Sequence, residues 1–136
     1  MSTDNYELAE IPTDTERREL WLQHAAGSIL FENVRRYALG EIDPSASAEV
    51  RRAAEKAVDD CMYGLMMLID GVTGGLCNSE YEVALSMVTR LVAREGDKIV
   101  QELDLRDGDG VCMGFHGWKE GDFGEDAVAV SDAETR

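Results

Sequence analysis

The sequence predicts an α+β domain that is mainly helical, with three α-helices followed by a C-terminal antiparallel β-hairpin packed on them. Two observations support this prediction. Apolar residues recur at helical spacing up to about residue 95. The spacing then changes to short apolar runs, 98–105 and 111–118, with two Asp-Gly pairs between them. Because a lone hairpin is marginally stable in water, we expect it to lie against the helices.

The first helix carries a recognisable start signal. Thr13 followed by Glu16 forms a capping box, which predicts a helix over about residues 14–39. Inside it, Gly27 is followed by Ser28, and a glycine in a helix interior lowers stability by about 1 kcal/mol. This pair therefore indicates a kink or a close helix crossing.

The second helix is the most apolar part of the chain. Asp43-Pro44 predicts its start, and Gly71 predicts its end. Residues 61–69 are apolar on nearly every side, so we expect other elements to surround this helix. Asp70 follows this run, and we expect its carboxylate to bond a backbone amide in the loop over residues 72–76.

The remaining elements follow from capping and strand signals. Ser79 and Glu82 repeat the capping box and predict a third helix that ends at Glu95-Gly96. Residues 98–105 and 111–118 are then the two strands of the hairpin. The domain organisation is a flexible leader over residues 1–12, a single globular domain over 13–124, and a flexible acidic tail over 125–136.

The charge of the chain restricts its partners. There are 28 acidic and 13 basic residues, a net charge of −15 and a pI near 4.3. Such a field repels phosphate-rich surfaces and attracts basic ones, so we expect neither direct nucleic-acid binding nor membrane binding. No apolar run reaches the roughly 20 residues that a membrane-spanning helix needs.

The cysteines indicate the compartment. Cys61, Cys77 and Cys112 are odd in number and widely spaced. This pattern is typical of reduced thiols rather than of a disulfide framework. The N-terminal residues are acidic and polar, unlike a signal peptide. We therefore predict a cytoplasmic protein.

The most suggestive segment for function is residues 103–124, which is rich in glycine, aromatic residues and carboxylates. Residues 95–126 alone contain ten acidic and three basic side chains, a net charge of −7. Interfaces use aromatic anchors, so a recognition surface is predicted here. Its aromatic anchors are Phe115, His116, Trp118 and Phe123, and the carboxylates around them are Asp104, Asp107, Asp109, Glu120 and Asp122.

The favoured function is a binding protein that engages a basic protein partner. In size and charge the chain resembles small acidic binders such as nuclease immunity proteins and DNA mimics. This resemblance is one of composition and transfers no residue roles. The prediction includes no catalytic residues, no cofactor and no metal.

The alternative is a small enzyme or metal-binding protein with its site around Cys112 and His116. On a strand these two residues share a face but lie too far apart for direct contact unless the backbone bends. Zinc needs three or four ligands, and a calcium loop needs an acid spacing that Asp104, Asp107 and Asp109 do not have. Activity is therefore left open.

A third interpretation is self-association. Three methionines on the second helix, Met62, Met66 and Met67, could form an adaptable apolar surface. On this reading the helix pairs with its copy in a homodimer.

Overall fold

The computed structural model describes residues 6–124 and 128–130, which form an α+β fold. Its elements in chain order are β1 (Tyr6–Leu8), α1 (Thr15–Leu30), a π-helical segment (Phe31–Arg35), α2 (Arg36–Gly40), α3 (Ala48–Ile69), β2 (Leu76–Cys77), β3 (Glu82–Val83), β4 (Val88–Ala93), β5 (Lys98–Asp104), α4 (Val111–Lys119) and β6 (Val128–Val130).

The predicted arrangement of three helices followed by a hairpin is wrong. The segment predicted as a third helix forms β3 and β4 instead, and β2 lies in the link before it. Residues 111–118, predicted as a strand, form α4. The strands β2 to β5 therefore lie between α3 and α4 in the chain, and the last large element of the core is a helix.

The first predicted helix is confirmed, with a different cap. Asp14 rather than Thr13 caps α1, because its carboxylate accepts a hydrogen bond from the Arg17 amide at 3.0 Å. The helix continues through the π-helical segment into α2. A π-helical turn holds an extra residue, and Phe31, the first residue of this one, is buried in the core.

The central helix α3 begins later than predicted. Its cap is Ser47, which accepts from the Val50 amide at 3.2 Å, while Asp43 bonds Ser45 in the preceding turn. Gly71 lies just beyond its end with φ of 76°, as the predicted stop requires. Three α3 side chains are buried, Met62, Met66 and Ile69. The helix therefore lies along one side of the core, and the expectation that it is surrounded is wrong.

Within the described ranges, the strands form three two-stranded antiparallel sheets, β1–β6, β2–β3 and β4–β5. Residues 98–104 are a strand as predicted, but their partner is β4, in a register that pairs Val88 with Asp104. Leu91 of β4 and Leu103 of β5 are buried where this sheet packs on α1. The predicted tail lies outside the described residues except for Val128–Val130, which pair with Tyr6–Leu8.

The core forms where α1, α3 and α4 meet, and Trp118 lies at its centre. A Cβ added to Gly27 of α1 or to Gly114 of α4 would collide with the Trp118 indole. Gly27 thus marks a close helix approach, as its position in the sequence indicated. The largest fully buried side chains are Trp21, Leu22, Met66, Leu105, Val111 and Trp118.

Candidate binding site

A groove of about 450 Å³ lies between the first turns of α1 and the loop that precedes α4. Five carboxylates and one guanidinium line it. We call this feature the acidic groove; its lining residues are Asp14, Glu16, Arg17, Glu19, Leu20, Gln23, Asp107, Gly108 and Asp109. Its charge is therefore strongly negative, and it opens to solvent.

The acidic groove continues into a second depression of about 250 Å³ between α1 and α4. The two share Leu20, Gln23 and Asp109. Gly114 and Gly117 of α4 line this depression, and the exposed side chain of Met113 lies beside them. Asp122 supplies a further carboxylate. The combined surface has a partly apolar floor and an acidic rim.

Gln23 holds the acidic loop in place. This side chain is buried, its Oε1 accepts from the Asp109 amide at 2.9 Å, and its Nε2 donates to the Gly110 carbonyl at 3.4 Å. A Cβ at Gly108 would collide with Gln23 Oε1, so a side chain there would displace the Gln23 amide. These contacts set Asp107 and Asp109 opposite the carboxylates of α1.

Asp70 holds the start of α4 from the other side. Its carboxylate oxygens accept from the amides of Val111 at 2.8 Å and Cys112 at 2.9 Å. The expectation that Asp70 bonds the loop over residues 72–76 is wrong. A carboxylate at a helix N-terminus satisfies free amides and interacts well with the helix dipole. Asp70 therefore fixes the position of the helix that forms one wall of the site.

Asp59 ties α4 to the π-helical segment. Arg35 Nε lies 2.7 Å from Asp59 Oδ1, and Lys119 Nζ lies 3.6 Å from Asp59 Oδ2. Partial burial of Asp59 favours its neutral form. The hydrogen bond and charge of Arg35, together with Lys119, outweigh that effect and lower the pKa of the Asp59 carboxyl.

The α-helical conformation changes the geometry of Cys112 and His116. Residues four apart on a helix lie on the same face, so the strand-based separation expected from the sequence is wrong. Tyr63 of α3 packs against them: its ring centroid is 5.5 Å from that of His116, and its phenol is close enough to the Cys112 thiol to influence the pKa of that thiol. The fold thus gathers Tyr63, Asp70, Cys112 and His116.

This cluster does not favour a thiolate. Burial raises the pKa of the Cys112 thiol, the hydrogen bond and charge of Asp70 raise it further, and the bond from Tyr63 opposes them only in part. A thiol kept protonated is a weak nucleophile. Within residues 6–124 and 128–130, no three His, Cys, Asp or Glu side chains are grouped so that they could hold a metal ion.

The predicted recognition surface is only partly accessible. Phe115 and Trp118 are 3% and 2% exposed and belong to the core, so in this conformation neither can serve as an interface anchor. Phe123 is half-buried and stacks on Trp118 at 6.2 Å, whereas His116 is exposed. Among the carboxylates Asp104 is half-buried and accepts from the Arg106 amide; the exposed ones are Asp107, Asp109, Glu120 and Asp122.

Sequence reasoning missed the α1 side of the groove. Glu16 and Glu19 are three residues apart and therefore share a helix face. This spacing was the sequence feature that could have indicated an acidic surface on α1. Their position opposite Asp107 and Asp109 depends on packing between segments almost ninety residues apart. The role of Gln23 could not be predicted from the sequence, because glutamine is common within helices.

No family model matches this chain, and neither a curated protein nor a solved structure matches it. In the described part of the chain, no helix has both the length and the apolar character needed to cross a bilayer.

Proposed function

We propose that this chain is a small acidic binding protein of the cytoplasm that engages a basic protein partner. The observation that supports this proposal is the acidic groove, in which carboxylates of α1 face those of the loop before α4. The net charge of −15 adds a long-range field of the same sign. Both features favour lysine and arginine side chains over phosphate groups.

The shape of the site suggests the chemistry of the bound segment. Lysine and arginine combine a long apolar stem with a charged end. The stem fits the partly apolar floor beside Leu20 and Met113, and the charged end reaches the carboxylates of the rim. An inhibitor of a nucleic-acid-binding protein would work in this way, because its carboxylates compete with phosphates for the same basic side chains.

The first experiment isolates the tagged chain from its own cells at low salt and identifies co-purified proteins by mass spectrometry. We expect a high-pI protein that dissociates as salt rises, because screening weakens such contacts. The purified partner is then titrated against a groove variant, Glu19→Lys with Asp107→Lys and Asp109→Lys. Affinity should fall by at least about tenfold, and the slope of affinity against salt should become shallower.

The control variant makes the same change in net charge elsewhere. Glu41→Lys, Glu55→Lys and Glu95→Lys alter exposed carboxylates that do not line the groove. If the two triple variants lose affinity equally, net charge alone drives binding and the groove assignment is wrong. If no high-pI protein is recovered, the proposed function is wrong.

The alternative function, an enzyme built around Cys112 and His116, has weaker support. The fold brings these residues together with Tyr63 and Asp70. However, the anionic neighbour of the thiol opposes formation of the nucleophile that such an enzyme needs.

A further inference from the structure

Residues 71–86 form a hairpin arm that projects from the body of the protein. Every residue in this stretch is exposed, and β2 and β3 pair with each other. The arm meets the body near its base, where Gly71 lies against the Arg106 side chain and Gly74 against Leu68.

The arm is ordered by its own hydrogen bonds. The Asn78 side-chain oxygen accepts from the amides of Glu80 at 2.8 Å and Tyr81 at 2.7 Å. The Asn78 amide in turn donates to the Tyr81 carbonyl at 2.9 Å. A pre-ordered segment loses little conformational entropy when it binds, which favours its use as a recognition element.

The arm exposes large apolar side chains. Leu76, Tyr81 and Val83 are 75%, 73% and 65% exposed. Leu76 pairs directly with Val83, so these two side chains lie on one face of the β2–β3 pair, and Tyr81 lies in the turn just before β3. Glu80 and Glu82 alternate with them. Contiguous exposed apolar groups rimmed by polar residues are typical of interaction sites.

We propose that the apolar face of the hairpin arm inserts into an apolar cleft, rimmed by lysine or arginine, on the basic protein partner. This inference rests on the proposed function, since it concerns the same partner. Charge complementarity supports it: the charged residues of the arm are Glu80 and Glu82, both acidic. The arm supplies the apolar contact area that a purely electrostatic groove lacks.

A second copy of the chain is a poorer occupant. Pairing two arms would bring Glu80 and Glu82 close to their own copies, and like charges in an interface are unfavourable. It would also bring together two molecules that each carry a net charge of −15. A basic partner avoids both repulsions, because its charge is opposite to that of the arm and of the whole chain.

The test compares two triple variants of the full chain in titrations against the high-pI protein recovered at low salt. The arm variant carries Leu76→Ala, Tyr81→Ala and Val83→Ala. The matched control carries Ile29→Ala, Tyr37→Ala and Val50→Ala, which are also exposed. We expect the arm variant to lose about tenfold or more in affinity with an unchanged salt slope, and the control to bind as the unchanged chain does. Sedimentation of each variant alone reports self-association and folding.

The outcomes separate the arm from the groove. If the arm variant binds normally while the Glu19, Asp107 and Asp109 variant does not, the arm inference is wrong and the proposed function stands. If the groove variant binds normally while the arm variant does not, the arm inference stands and the groove assignment is wrong. A dimer of the unchanged chain that the arm variant converts to a monomer would make a second copy the occupant and overturn the inference. If no high-pI protein binds, both proposals are wrong.

Discussion

The carboxylate of Asp70, at the end of α3, accepts a hydrogen bond from the amide of Val111, at the start of α4, at 2.8 Å. It accepts a second bond from Cys112. The residue that follows the last turn of one helix therefore caps, through its side chain, another helix that begins about forty residues later. The acidic groove depends on this bond, because the loop that carries Asp107 and Asp109 runs directly into the capped turn.

Replacing Asp70 should destabilise the fold. Asp70→Ala removes both bonds and leaves two amides unsatisfied, so we expect a loss of about 2 kcal/mol in the free energy of unfolding. Asp70→Asn keeps one acceptor oxygen and should lose less. Urea denaturation measures both effects, with Glu55→Ala on α3 as the control. Equal stability of Asp70→Ala and Glu55→Ala would show that the cap contributes nothing.

Gly27 should not tolerate a side chain. In Gly27→Ala the new methyl group collides with the Trp118 indole, and we expect a net loss of about 1–3 kcal/mol in spite of the better helix propensity of alanine. Gly64 is a matched control, because nothing lies within 4 Å of a Cβ added there. Gly64→Ala should stabilise the protein by about 0.5–1 kcal/mol. Thermal denaturation of the two variants should shift in opposite directions, and a shift in the same direction would contradict the predicted packing.

Asp59 should make stability depend on pH under acidic conditions. The pKa of Asp59 is lower in the folded state than its usual value near 3.8, because Arg35 and Lys119 outweigh the effect of burial. A lowered carboxyl pKa stabilises the folded state above the unfolded-state pKa, and this contribution is lost as pH falls through the folded-state pKa. The stability difference between the unchanged chain and Asp59→Asn should therefore be greatest above about pH 5 and shrink below about pH 4. Urea denaturation across this range measures it, and a difference that grows on acidification would contradict the ion-pair geometry.

The three cysteines should differ in reactivity. Cys61 and Cys77 are exposed, whereas Cys112 is half-buried and burial and Asp70 raise the pKa of its thiol. Because the thiolate is the reactive form, iodoacetamide at neutral pH should alkylate Cys112 last. Asp70→Asn should speed the reaction at Cys112 by removing a negative charge. Peptide mass spectrometry over time measures all three sites, and fastest alkylation at Cys112 would instead favour the enzyme alternative.

Local signals predicted the elements that depend on local interactions. The long first helix and the strand of residues 98–104 follow from periodicity, and the stop of α3 follows from Gly71. The residues that cap the two long helices, Asp14 and Ser47, are not the predicted ones but lie within a few positions of them. The prediction of a third helix is wrong because it rests on the capping box of Ser79 and Glu82, while acidic and apolar residues alternate over 80–83 as in a strand. In the structure that alternation belongs to the arm.

Only one side of the acidic groove, the loop before α4, was predicted from the sequence. Asp107 and Asp109 belong to the predicted surface because they lie in a dense acidic segment. Glu16 and Glu19 of α1, which line the same groove, are not part of that prediction. Phe115 and Trp118 are predicted as anchors because interfaces use aromatic residues, but a short apolar run fits a helix as well as the predicted strand. Once residues 111–119 are helical, these two side chains face α1 and α3 and enter the core.

The sequence by itself determined the net charge, which is a sum over its residues, and the mixed α+β class. It also determined the two long helices, because their apolar periodicity depends on residues within a few positions of one another. Tertiary structure alone decided that residues 111–119 are a helix and that an acidic groove exists. The reason is physical: the cap of α4 is Asp70, and the support of the acidic loop is Gln23, both supplied by distant segments. Hydrogen bonds between positions far apart in the chain leave no periodic trace in the sequence.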